Sequence, residues 1–172
     1  MKKIIFNLIL LIFFILISLM VILSTLGIET NKFNNLISKK INLVNNSLKL
    51  EPITVKFKLD IKEISLFLET NNPKIHYKKI SIPTKNIKAY VDFISLIKSN
   101  PKIKKIYLSL NEIQIEKLKK ISISSKPSNL TSFINNNIKQ GILKTKIEMY
   151  FNKDNLLDNY IARGSVSNLK AE

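Results

Sequence analysis

Apolar positions change their period along this chain, and each change marks a new kind of element. From Ile4 to Leu26 the apolar run is almost unbroken. Only Asn7, Ser18, Ser24 and Thr25 interrupt it, and none is charged. A helix over that run would be roughly 34 Å long at 1.5 Å per residue, slightly more than a hydrocarbon core. From Thr30 to Leu48 the period becomes helical: Phe33, Leu36, Ile37, Ile41, Val44 and Leu48 fall on one stripe. Thr30 is the expected N-cap, because its hydroxyl can accept from the first-turn amides. Pro52 ends this segment and the period drops to two. Val55, Phe57, Leu59 and Ile61 alternate with Lys56, Lys58 and Asp60, which predicts a half-buried strand. Beyond Lys62-Glu63 the parity flips to Ile64, Leu66 and Leu68, so a bulge or turn must sit near Lys62.

The same reading continues downstream. Asn71-Asn72-Pro73 is a turn. A short strand spans Ile75 to Ile82 and stops at Pro83, and Ile87, Ala89 and Val91 make another. Asp92 to Ile97 breaks alternation and predicts a helical turn or two, capped by Asp92 and stopped by Ser99-Asn100-Pro101. Ile106, Leu108 and Leu110 alternate, then slip to Ile113 and Ile115. Glu116 to Lys120 predicts a turn of helix, and Ser122 to Asn129 a loop. Leu130, Phe133, Ile134 and Ile138 have helical spacing, with Gly141 at the expected stop. Leu143, Thr145, Ile147, Met149 and Phe151 form a strand, Asn152 to Asn155 a hairpin turn, and Asn159 to Val166 a last strand. Short turns between strands imply antiparallel pairing. The expected fold is mainly β (α+β): a transmembrane helix and an amphipathic helix, then an antiparallel sheet with short helical inserts. The expected divisions are a tail at 1–3, an anchor at 4–26, a juxtamembrane helix at 27–50 and a β-rich domain at 51–172. Two short helices cannot cover the apolar face of that sheet, so a second sheet, another chain or lipid must.

The long apolar core and the absence of an A-x-A pattern at Ser24 to Ile28 favour a retained anchor over a cleaved signal peptide. Lys2 and Lys3 favour an N-terminus on the cytoplasmic side. Lys32, Lys39 and Lys40 nearly balance them, and the short tail decides for a signal-anchor. In a bacterium that puts residues 27–172 in the periplasm. The amphipathic helix then has two placements. It packs on the domain behind it, or it lies on the membrane surface with Phe33, Ile37 and Ile41 inward and Lys39 and Lys40 toward anionic headgroups.

Composition narrows the partners. The 172-residue chain carries a net charge of +16. Nearly all the cations are Lys, with Arg163 the single Arg, and Lys, Ile and Asn make up 77 residues. A nucleic-acid binder relies on Arg forks for phosphates and guanine edges. Lys, Ile and Asn share A/T-rich codons, so the bias is attributed to the genome and no nucleic-acid partner is expected. The lysines mostly alternate with apolar residues, as on the wet face of a strand. No Cys means no disulfide, thiol nucleophile or Cys-ligated zinc. His76, the only His, alternates with Ile75 and Tyr77 as an ordinary strand residue. No phosphate-binding Gly-rich loop, H-E-x-x-H or EF-hand pattern is present. No catalytic residue, metal site or cofactor is expected, and the chain is not read as an enzyme.

The order of motifs resembles the amino-terminal part of the AsmA-like family, which includes TamB-type proteins. The resemblance is carried by the single span, Thr30 to Ile37, the strand through Leu59-Asp60-Ile61-Lys62-Glu63-Ile64-Ser65-Leu66-Phe67-Leu68, Asn72-Pro73-Lys74-Ile75, Ile82-Pro83, Asp92 to Ile97, and Asn100 to Ile106. It implies an inner-membrane protein with a periplasmic sheet curled into an apolar groove, acting in phospholipid movement and outer-membrane biogenesis. Carried over here, Val55, Phe57, Leu59, Ile64, Leu66, Leu68, Ile106, Leu108, Leu110, Ile147 and Met149 would line that groove. The implied partners are phospholipid or other lipid, the inner membrane, and outer-membrane proteins or further β-groove subunits. Family members are usually several times longer. Two alternatives stand: a scaffold that binds outer-membrane proteins by strand addition, and a β-jellyroll resembling the single-span lipopolysaccharide-transport proteins.

Overall fold

The computed structural model describes all residues except 1, 32–33, 45–46, 52–53, 93–94, 96–101, 125–126, 153, 155 and 172. Helix α1 (Lys2–Thr25) leads to β1 (Ile28–Thr30), α2 (Asn34–Val44) and β2 (Leu48–Glu51). Strands β3 (Val55–Asp60), β4 (Ser65–Asn71), β5 (Lys74–Tyr77), β6 (Ile80–Ile82), β7 (Thr84–Val91), β8 (Ile103–Leu110) and β9 (Ile113–Gln114) follow. Then come helices α3 (Ile115–Ile123) and α4 (Asn129–Asn137) and strands β10 (Ile138–Phe151) and β11 (Leu157–Ala171). The larger sheet runs β1-β3-β4-β7-β8-β10-β11, with β9 also on β10; β2-β5-β6 form a smaller one. The described pairings are antiparallel, and the larger sheet is open, with β1 and β11 at its edges. The expected apolar helix followed by an antiparallel sheet with short helices is what the chain forms.

Several boundaries differ from the periodicity. The flip near Lys62 is a turn over residues 61–64, so β3 and β4 form a hairpin. Ile64 therefore sits in the turn and leaves the proposed groove lining. The strand expected over Ile75–Ile82 divides at Lys78 and Lys79, and Lys78 takes φ 53° to make the turn. Thr30 lies in β1, paired with Val55, and α2 begins at Asn34. Helix α3 extends through Ile123 into the segment expected as a loop. Helix α4 stops at Asn137, and Gly141 lies inside β10, because pairing with β11 reaches back to Ile138. Most of the helical turn expected after Asp92 lies outside the described residues. Its cap is seen, with Ser95 N–H donating to Asp92 Oδ2 at 2.8 Å.

Register builds the core. One cross-strand row runs Ile28–Phe57–Leu68–Ala89–Ile106–Met149–Tyr160, contributed by β1, β3, β4, β7, β8, β10 and β11. Its middle is sealed: Leu68, Ala89 and Ile106 are fully buried. The cover comes from α2, through Ile37 and Ile41, and from the small sheet, through Leu50 and Ile75. Burying each such side chain stabilises the fold by roughly 1.5–3 kcal/mol. Ile37 and Ile41 therefore do not face a membrane surface. Both pack into the core with the larger sheet. Lys39 is exposed; Phe33 and the side chain of Lys40 lie outside the described residues.

Candidate functional site

The cover stops short. α2 and the small sheet lie over the middle of the larger sheet, whereas Tyr160, Val166 and Leu169 of β11 stay open to solvent. Where cover ends, a cavity of about 320 Å³ opens. One wall is Leu48, Ile75 and Ile82 of the small sheet with Ile41 of α2. The other is Ile87, Ile106, Leu108, Leu110, Ile147, Met149, Leu157 and Tyr160. The volume is at the low end of the range for small-molecule sites, which are mostly apolar. Such a wall can accept hydrocarbon but offers no charged group to a reacting centre.

The expected groove residues divide by position. Ile106, Leu108, Leu110, Ile147 and Met149 line the cavity. Val55 and Leu68 belong to the sealed core, and Phe57 packs on it. Leu59 and Leu66, half-buried, lie beside the β3–β4 turn. Periodicity missed the opposing wall. Ile75 and Ile82 were visible as strand residues and Leu48 was expected at the end of the helical stripe, whereas it opens β2; nothing in the sequence placed these residues in a separate sheet facing the first.

The opposite face is polar and largely self-satisfied. One row runs Glu29–Lys56–Glu69–Lys88–Tyr107–Glu148–Ile161, so opposite charges meet across strands. Lys58 Nζ lies 2.8 Å from Glu69 Oε2, with both side chains mostly buried. Phe67 and Tyr90 stack with centroids 5.4 Å apart, and Lys105 Nζ sits 4.3 Å from the Tyr90 centroid. Burial, then its hydrogen bond to Asp60, holds the Tyr90 hydroxyl well above the ordinary phenol range. Burial pushes Asp60 up, but donation from Glu63 N–H, Tyr90 Oη and Lys62 N–H outweighs it and leaves the carboxyl below its usual value. The Tyr150 hydroxyl, bonded to Glu148 at 2.6 Å, is raised mainly by that contact.

A polar concavity of about 780 Å³ lies on this face beside Lys85, Lys144, Lys146 and Arg163. Two of its four cations are paired within it, Lys144 with Glu112 at 2.9 Å and Arg163 with Glu148 at 3.2 Å, and its lining is as polar as apolar. The apolar cavity is therefore the better candidate. Among the described residues no group of three or more His, Asp or Glu side chains is placed to hold a metal ion. His76 stands on β5 between Lys49 and Ser81, half-buried.

Helix α1 is a candidate membrane span: 24 residues, strongly apolar, with none of its hydrophobic window buried against the rest of the chain. Comparison with protein-family models, with curated proteins and with solved structures finds no match to this chain.

Proposed function

We propose that this is a non-catalytic, membrane-anchored protein that takes lipid acyl chains along the apolar face of its open sheet. α1 anchors it in a bacterial inner membrane with the N-terminus cytoplasmic and the sheet periplasmic. Its work belongs to outer-membrane biogenesis, the role implied by the resemblance to AsmA-like proteins. The observation that carries the reading is the cavity of about 320 Å³ between the two sheets, continuous at Leu157 and Tyr160 with the uncovered face of β11. Hydrocarbon needs no directed bonds; each apolar Å² removed from water contributes about 25 cal/mol.

Native mass spectrometry of the detergent-purified chain tests this. Bound phospholipid is expected, and Leu108→Asp, which puts a charge in the cavity wall, should remove it while far-UV circular dichroism is unchanged. Lipid held around α1 is common to both proteins and cancels in the comparison. Equal lipid in both overturns the reading.

One observation favours a second reading, strand addition to an outer-membrane protein. β11 pairs only with β10 among the described strands and is exposed along almost its whole length. A photo-crosslinker at Val166 that captures an outer-membrane protein, with no lipid in the cavity, would favour it.

A further inference from the structure

We infer that the tip of the β3–β4 hairpin is a second membrane contact, which seats the sheet end-on against the bilayer holding α1. The inference rests on reading α1 as a membrane span. Topology puts the tip on the anchor's side. β1 runs away from α1, with Ile28 opposite Phe57 and Thr30 opposite Val55. β3 is antiparallel to β1, so its course from Phe57 to Asp60 leads back toward α1. The two are close at this point: a Cβ on Gly27, just after α1, would fall 2.6 Å from Lys58 Cγ. Residues 61–64 project further still, on the order of 13 Å past the Ile28–Phe57 pair at 3.3 Å per residue.

The side chains at the tip suit a lipid interface. A solvated turn favours Gly, Asn or Asp. Here Ile61 is 54% exposed and Ile64 86%. Ile64 also has φ 46°, the left-handed region that β-branched residues avoid. Lys62, exposed between them, can reach anionic headgroups. The tip is held in shape. Asp60 Oδ1 accepts from Lys62 N–H at 3.0 Å and Glu63 N–H at 3.2 Å, and Lys105 Nζ bonds both Glu63 oxygens at 3.0 Å. This bracing presents the two isoleucines outward. The β10–β11 turn adds Leu156, 62% exposed, at the same end of the sheet. Continuity with the anchor and the nearby lysine identify the occupant as the bilayer itself.

The chain has no Trp, so single substitutions give an isolated emission signal. Ile64→Trp, Ile61→Trp, Ile123→Trp and Phe13→Trp would each be reconstituted in phosphatidylcholine–phosphatidylglycerol vesicles with plain or brominated acyl chains. Ile123 is 71% exposed on α3, at the opposite end of the sheet, and Phe13 lies in α1. The expected result is blue-shifted emission, lost in brominated lipid, at Phe13→Trp and at both tip positions, with Ile123→Trp unaffected. Quenching at Phe13→Trp but at neither tip position overturns the tip contact and leaves the anchor standing. No quenching at Phe13→Trp overturns the anchor, and the tip contact with it.

Discussion

Asp60 organises one end of the sheet with a single carboxylate. It accepts from two turn amides and, through Oδ2, from Tyr90 Oη at 3.1 Å. All these contacts favour its charged form, so its folded pKa is lowered. The linkage sign follows: the stabilisation is complete above the unfolded value of about 3.9 and is lost as pH falls through the lower folded value. Urea midpoints of the parent and Asp60→Asn, measured from neutral to strongly acid pH, should differ most near neutrality and converge in acid. A gap that widens in acid would show that the carboxylate is not what stabilises the turn. The sequence displayed Asp60 only as a polar member of an alternating strand. Its role depends on Tyr90, thirty positions away, and no local pattern reports that neighbour. Ile64 was misplaced for the same reason: alternation alone cannot tell a strand residue from an apolar side chain in a four-residue turn.

Strands and helices were more legible than their partners. Alternation at Val55–Leu59, Leu66–Leu68 and Leu143–Phe151 located β3, β4 and β10, because a half-buried sheet imposes period two on its own sequence. The stripe on α2 was equally clear, yet it fitted either a membrane or a sheet; the burial of Ile37 and Ile41 decides for the sheet. β11 is the opposite case. Its 15 residues extend well beyond the expected Asn159–Val166, since exposed Gly, Ser and Asn give little periodic signal. As an edge strand it has hydrogen-bond partners on one side only, whereas β8 lies between β7 and β10. Amide hydrogen exchange followed by NMR should therefore alternate fast and slow along Leu157–Ala171 and be slow at most positions of Ile103–Leu110. Uniform protection of β11 would mean that another strand covers its edge.

At the scale of the whole molecule, two sheets and α2 share one core, and Ile106 stands at its centre, fully buried and also touching the cavity. Ile106→Ala should cost about 2–5 kcal/mol, read as a lower urea midpoint with the slope unchanged. A loss confined to the small sheet would show that the two layers unfold separately. The larger sheet carries α1 at the β1 edge and its open apolar face at β11, roughly 29 Å away across the strands at 4.8 Å per strand spacing. By itself the sequence determined the apolar helix, the β-rich remainder and the two-faced character of the strands. Those properties follow from local periodicity, which burial on one side writes directly into the chain. Only the tertiary structure decided that β2-β5-β6 form a separate layer over the larger sheet, that the cavity lies where that layer ends, and that Ile64 points outward from a hairpin turn. Those outcomes depend on which distant strands pair and in what register, and strands of the same period carry no label naming their neighbours.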